Sequence, residues 1–582
     1  MSTAKTHSDR IKAPAVILMA LAVTVVAAYL HSGGMHNVIA WDEAHYILAA
    51  SEGIVANAWE TGSLNGDLRH WHGPMMSYMI TASTAIFGND EWAARLPTLI
   101  IAALTCGLVV LTVVDLTRHH HRHVSYMAGL FAGLMLATSP ASIELAGVVQ
   151  PHAYVILFIV LNIWTLCRYV RDLQRRDAVL FGLTLTGQFL CMEYGPVMLI
   201  ISLTALLFTH PDRLGLQLKK PWIKRNKQSR WPVPCIHRDI IIAAATSIVT
   251  LTILWPAGVL RGGAAMNFGY YLLYAAHGHP ILFQGEMVTH LPKYAYALWY
   301  GIDYPLLLAG MCVGTLLAMW HAWQVRTPVT IALAIFTFGL IGSVHAAHIM
   351  MISKSIFMIP AIAIASAVAC AHYWQRLTVF AQSRMREAMI LRTIVKLDFG
   401  PKLAMIILLL ATVIGGQTTT MTRKTDPNEQ LASLCETLAH QANQNDTVFA
   451  QGWPMVRYLL QLKHGRPDIV IEPYDPRNIA TAKASVIDQE DRPERERATE
   501  NNASPINYPS GSWQWAITIG PTTRAHPECI VLKQLQNQWK IVADRSLGDR
   551  EYRLYREPTY DANGNPNQPH TPIAKALVIE RR

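Results

Sequence analysis

Over most of this chain apolar residues do not alternate with polar ones but come in long unbroken runs. Such runs occupy 14–30, 96–114, 124–141, 152–167, 178–191, 197–209, 240–255, 304–319, 329–344, 356–371 and 403–414. A helix crosses the hydrocarbon of a bilayer with about 20 predominantly apolar residues, range about 17–25. The shorter runs reach that length with their flanks, so the pattern predicts about eleven transmembrane helices within residues 1–420. Lys5, Arg10 and Lys12 before the first run would also suit a signal peptide. No clean Ala-x-Ala site follows it, so this run is expected to be a retained helix.

Beyond about residue 416 the pattern changes. Residues 427–444 read as a helix, 446–451 and 468–472 as strands around a helix at 455–463, and 513–519 as a buried strand. Further strands are expected at 529–532, 539–543 and 551–556. The mixed-charge stretch 488–502 reads as an insertion, and the Asn/Pro/Thr-rich tail 558–582 as disordered. The fold class expected is an α-helical polytopic membrane protein with a small C-terminal extracytoplasmic α/β domain at 421–557. Two outer loops, 31–95 and 258–302, are long enough to build a site. Within the first, 74–87 reads as a helix lying in the interface rather than crossing it.

Composition agrees with a lipid-embedded chain: 52% of residues are hydrophobic and 15% charged, against about 25% charged in soluble domains. The net charge of +10 would suit a polyanion partner, but its distribution gives another reason. Basic residues crowd the linkers 118–123, 168–176, 211–239 and 376–402, and the intervening linkers are poor in Lys and Arg. That asymmetry is the positive-inside rule. It places the N-terminus in the cytoplasm, an odd span count places the C-terminal domain outside, and no nucleic-acid partner is implied. The location expected is a bacterial inner (plasma) membrane. Of eight cysteines, only Cys435 and Cys529 fall in the outer domain, as a disulfide or as two buried thiols.

The strongest chemical signal is Trp41-Asp42-Glu43-Ala44, about ten residues beyond the first run. Adjacent carboxylates just outside a membrane helix are either solvated loop acids, an N-cap for a helix starting near Ala44, or functional groups. A carboxylate there can take a proton from an attacking hydroxyl. After the acidic pair come His70-Trp71-His72-Gly73-Pro74, Ser77-Tyr78, Phe87-Gly88 and Glu91-Trp92-Ala93-Ala94-Arg95-Leu96-Pro97. This order resembles the polyprenyl-phosphate-dependent glycosyltransferases related to protein O-mannosyltransferases and bacterial aminoarabinose transferases, of the membrane-embedded C-type superfamily. The family turn is His-Pro-Pro-like, whereas here it is His-Gly-Pro. The segment from His279-Pro280 through Glu286 and His290 to Tyr304-Pro305 is similar to the family's late outer loop. Lys354, followed by Ile359-Pro360, resembles the basic residue and Leu-Pro motif that open a later helix. The likeness covers roughly the first 375 residues.

The resemblance implies transfer of a sugar from a polyprenyl-phosphate-linked donor to a glycan, lipid or protein acceptor outside the cytoplasm, with inversion. It assigns Asp42 as base if the acceptor is a hydroxyl, or as a positioning group if it is a phosphate, and gives Glu43 a role in binding acceptor. The departing carrier phosphate needs cationic donors, for which Lys354 is the first candidate and His345 and His348 the next. Glu144, His72, Tyr78, Arg95, Glu286 and His290 are candidate acceptor or donor contacts. Gln150-Pro151-His152 stands where the family carries an arginine. No cofactor is expected. The outer histidines would suit zinc or manganese, but no metal-ligand spacing is present, so a divalent ion is only an alternative. A secondary transporter or flippase is the competing function. It fits less well, because the chain shows no internal repeat and its notable charges sit at the outer boundary.

Overall fold

The computed structural model describes residues 13–35, 41–59, 73–192, 194–210, 235–265, 268–269, 272, 281–283, 286–288, 305–346, 356–384, 428–450, 453–473, 515–521, 540–547 and 550–556. By its contacts the chain divides into two compact units. One comprises Met1–His36, Ala49–Gly88 and Trp92–Arg423, the other Asn37–Leu48, Asn89–Glu91 and Lys424–Arg582. The segment carrying the acidic pair therefore groups with the C-terminal unit.

The first unit is helical. Its long helices are α1 (Ala13–His31), α5 (Glu91–Leu116), α6 (Arg122–Ala137), α8 (His152–Asp172), α9 (Arg175–Cys191), α10 (Gly195–Thr209), α11 (Cys235–Leu254), α13 (Pro305–Val325), α14 (Pro328–Ala346) and α15 (Ile359–Arg384). Shorter helices are α3 (Ile54–Trp59), α4 (Met75–Phe87), α7 (Pro140–Ala146) and α12 (Pro256–Leu260), while α2 (Trp41–Ser51) belongs to the second unit up to Leu48 and to the first from Ala49. Every apolar run from 14–30 to 356–371 has most of its length on one of the long helices, and the run 403–414 lies outside the described residues. Among the described residues four helices are long and apolar enough to cross a membrane: Ala13–His31, Glu91–Leu116, His152–Asp172 and Pro328–His345. Helix α4 has 13 residues, about 20 Å at 1.5 Å per residue, which is too short to span about 30 Å of hydrocarbon.

Where lipid replaces water, helices gain little from hiding apolar surface against one another, and small residues and interhelical hydrogen bonds carry the packing. Gly182 of α9 shows the first device, since a Cβ there would stand 2.4 Å from the Ala243 carbonyl oxygen of α11. The second is a buried polar seam. Thr184 donates to Asn162 Oδ1 at 3.1 Å, Thr186 to Ser247 Oγ at 3.1 Å, and Gln188 to the Val155 carbonyl at 3.1 Å, joining α8, α9 and α11. At the end where α5 and α8 finish, Arg171 pairs with Asp115 at 3.3 Å and Arg118 with Asp172 at 3.3 Å. Arg168 meets the fully buried Asp177 at 3.2 Å.

The second unit holds a five-stranded sheet, in the order Val470–Pro473, Thr447–Ala450, Trp515–Pro521, Arg550–Arg556, Lys540–Leu547. Its strands are β3 (Thr447–Ala450), β4 (Val470–Pro473), β5 (Trp515–Pro521), β6 (Lys540–Leu547) and β7 (Arg550–Arg556). β3 runs parallel to β4 and β5, with Val448 opposite Ile471 and Trp515, while β7 is antiparallel to β5 and β6. Helix α16 (Asn428–Gln441) buries Leu431, Leu434, Cys435 and Leu438, one stripe at helical spacing. Cys435 is a free thiol whose pKa burial pushes up, and Cys529 lies outside the described residues. Past the end of α16, Arg466 donates to the Ala442 carbonyl at 3.0 Å and to Asp468 at 2.9 Å. That contact satisfies a carbonyl the helix leaves open.

Candidate functional site

The acidic pair does not cap a helix starting near Ala44, because α2 already begins at Trp41. Asp42 and Glu43 therefore lie in its first turn, where free backbone N–H groups and the helix dipole favour negative charge. Glu43 is 1% exposed and Ala44, Ile47 and Leu48 are buried beside it. A carboxylate so enclosed is costly unless its surroundings compensate it. One turn on from Asp42, His45 is held neutral at ordinary pH, its pKa lowered to about 4 by burial.

The far end of α2 is fixed by side chains that add a second hydrogen bond to its last carbonyls. Asn57 of α3 donates to Ala49 O at 2.7 Å, and Thr81 of α4 to Ala50 O at 2.7 Å. Tyr78 of α4 donates to Leu254 O at 2.5 Å, one of the last carbonyls of α11. Ser83 donates to Ala93 O at 2.6 Å. Ala93 is the residue whose i+4 partner would be Pro97, inside α5, and proline has no N–H to give. The serine thus satisfies a carbonyl that Pro97 leaves open. Helix α4 is in this way tied to α2, α5 and α11.

The helical unit itself holds further sequence candidates. Arg95 is 1% exposed and donates to the Met35 carbonyl at 3.3 Å. His31, ending α1, donates from Nε2 to Ala137 O, ending α6, at 3.0 Å. His31 also lines a small apolar cavity with Cys106, Ser142 and Ile356. The departure His-Gly-Pro has a local cause: a Cβ on Gly73 would lie 2.4 Å from the Leu190 carbonyl at the end of α9. His345 Nδ1 bonds Ile341 O at 2.8 Å within α14.

The sequence missed one cluster. Phe357, fully buried, stacks on His152 at 5.4 Å between centroids and meets Tyr194 at 4.8 Å. Tyr194 in turn bonds Ser343 Oγ at 2.5 Å. These contacts bind the start of α8, the start of α10 and the end of α14 to the residues just before α15. An aromatic three residues after Lys354 is the signal that could have pointed there. Glu144 lies on α7, and Glu286 opens the short strand β2 (Glu286–Val288), opposite Phe283 of β1 (Ile281–Phe283). Lys354, His348, His72 and His290 lie outside the described residues. Among the described residues no group of three or more His, Cys, Asp or Glu is arranged to hold a metal ion.

Residues 71–225 match the family model described as Dolichyl-phosphate-mannose-protein mannosyltransferase. A comparison with curated protein sequences gives no match. Among solved structures, the chain matches ArnT from Cupriavidus metallidurans bound to undecaprenyl phosphate, with 13% identity and a TM-score of 0.58, over 93% of this chain and 98% of that one. The apo state of the same protein matches at 13% identity and TM-score 0.56, over 95% and 99%. At this identity the likeness is one of fold, and it runs through nearly the whole of both chains. In motif order, in the matched family segment and in fold, the chain resembles the polyprenyl-phosphate-dependent membrane glycosyltransferases.

Proposed function

We propose that the chain transfers a sugar from a polyprenyl-phosphate-linked donor to a glycan, lipid or protein acceptor on the extracytoplasmic face of a bacterial inner membrane. The observation that carries this reading is the acidic pair in the first turn of α2, directly after the first apolar helix, with Glu43 enclosed. Supporting it are the family match over 71–225 and a shared fold with a protein whose structure holds undecaprenyl phosphate. The apolar runs of the chain suit a carrier whose tail lies among helices.

In this reading Asp42 takes the proton from an acceptor hydroxyl as the sugar moves with inversion. For a phosphate acceptor, already anionic, it orients groups instead. Glu43 binds acceptor, and Lys354, His345 and His348 receive the negative charge left on the carrier phosphate. His72, Tyr78, Arg95, Glu144, Glu286 and His290 line the two substrates. No metal or other cofactor enters the step. About eleven helices cross the membrane, the N-terminus is cytoplasmic, and the C-terminal sheet unit is extracytoplasmic.

The test is a transfer assay in membranes with a panel of polyprenyl-phosphate sugars, comparing wild type with Asp42→Asn and Lys354→Gln. Loss of a general base costs on the order of 10²–10⁴ in rate. Asp42→Asn protein that folds and transfers at the wild-type rate refutes the assignment. A reporter fused after Gln417 reads extracytoplasmic if the topology is right, and a cytoplasmic signal would remove the sheet unit from the site.

A further inference from the structure

The run His119-His120-His121-Arg122-His123 reads in the sequence as part of a basic linker. In the structure one of its rings, that of His120, meets a histidine from a distant helix. His119 and His120 lie 4.1 Å apart between centroids, and His120 lies 5.8 Å from His372 of α15. His372 lies 4.6 Å from His321 of α13, and His321 lies 5.6 Å from Tyr373. The cluster follows the C-terminal end of α5, the opposite end from Arg95.

Three polar atoms here are buried without a hydrogen-bond partner among the described residues: His321 Nδ1, His372 Nε2 and Tyr373 Oη. The His321 residue is 4% exposed. A buried polar atom left unpaired forfeits its hydration with no return, so such a group asks for a ligand. The sign of the local field says which kind. Burial first, and then His372, His120, Arg376 and His119, depress His321 to about 3. Burial and then Arg376 and His120 depress His372 to about 4. Rings so depressed are neutral at ordinary pH, so the charge that acts on both is that of Arg376, one helical turn beyond His372 on α15. A metal cation would enter a field of its own sign, whereas an anion would be drawn in. Depth fits as well: Trp320 and Trp323, on either side of His321, are 56% and 52% exposed. Exposed tryptophans of this kind sit at headgroup level.

We propose that His321, His372 and Tyr373, with Arg376 beside them, form a binding site for a phosphate-bearing anion at the end of the bundle opposite Arg95. The imidazole and phenol groups donate to phosphate oxygens and Arg376 supplies the matching charge. The phosphate can come from an anionic phospholipid, which the tryptophans favour, or from a soluble phosphate.

The full-length protein, purified in a zwitterionic detergent, is titrated with phosphatidylglycerol, phosphatidylcholine and inorganic phosphate. Bound lipid is read by native mass spectrometry and phosphate by equilibrium dialysis. We expect phosphatidylglycerol to bind about tenfold tighter than phosphatidylcholine. The double variant His372→Gln/Arg376→Gln is expected to abolish that preference, and His123→Gln, on an exposed ring of the same run, to keep it. Arg376 is exposed, so Arg376→Gln alone serves should the double variant fail to fold, and it too should weaken binding. If inorganic phosphate binds in the wild type and is lost in the variants, the soluble source is the right one. Equal binding of all three probes by wild type and variants overturns the proposal, as does wild-type protein that binds neither anion.

Discussion

Replacing Phe357 by alanine tests whether the aromatic cluster anchors the segment that carries Lys354. The ring is fully enclosed and lies against His152 at 5.4 Å and Tyr194 at 4.8 Å. Removing a buried phenylalanine side chain costs about 3–5 kcal/mol, transfer and cavity terms together. Each aromatic contact accounts for about 0.5–1.5 kcal/mol beyond its area. The residue is followed by Met358 and Ile359, both buried, so α15 keeps its own hold on the bundle. The loss therefore falls on the residues just before it, three positions from Lys354. If Lys354 contacts the donor phosphate, a segment that occupies its binding-competent position only part of the time raises the apparent KM in inverse proportion to that fraction. A rise on the order of tenfold in donor KM is expected, with a smaller change in kcat and a lowered melting temperature in detergent. Phe357→Leu, which keeps most of the volume, should cost under about 1.5 kcal/mol and leave KM near wild type. Phe357→Ala protein that melts with the wild type and transfers with unchanged donor KM would refute both the anchoring and the role given to this end of α15.

Ser83→Ala should destabilise by about 1–3 kcal/mol, because it leaves the Ala93 carbonyl open next to Pro97. Thermal melting of the variant reads this directly, and Ser83→Thr should restore much of the loss. Gly73→Ala forces a methyl to within 2.4 Å of the Leu190 carbonyl, a backbone atom that cannot swing aside. It should cost about 1–3 kcal/mol or more and lower activity with it, and an unchanged melting point would show that the turn is free to move. His45 has its folded pKa depressed from 6.5 to about 4 by burial, so the unfolded chain binds the proton more readily. Its contribution is full above about pH 6.5 and is lost as pH falls toward 4. The melting temperature should drop across that window and drop less in His45→Gln, and a flat profile in the wild type would contradict the burial of this ring.

Much of the helical unit was legible because the solvent writes it. A segment that lies in hydrocarbon must satisfy its own backbone and show apolar side chains all round. Runs such as 96–114 and 152–167 therefore stand out without any long-range information, and both lie on helices. The acidic pair was legible for the converse reason, as two charges about ten residues beyond the first apolar run. Its helix was misplaced by three residues, because a carboxylate suits an N-cap and a first turn almost equally well. What closes the structure was not legible. Pro97 announces a carbonyl without a partner, but nothing near it in the chain announces that Ser83 will supply the donor. Backbone carbonyls in the helical unit are met by side chains 10, 31, 106 and 176 positions away, from Ser83, Thr81, His31 and Tyr78 in turn. The histidine cluster is the same case, since His120 and the Gln375 carboxamide it bonds are 255 positions apart. A run of histidines in a basic linker and a lone histidine on each of two apolar helices look unremarkable one by one. Only packing makes them neighbours, and packing also turns three ordinary polar atoms into unpaired ones. Lipid dictates which residues become helices. The sites arise where polar groups at the helix ends must find partners across the bundle, and linear spacing holds no record of that choice.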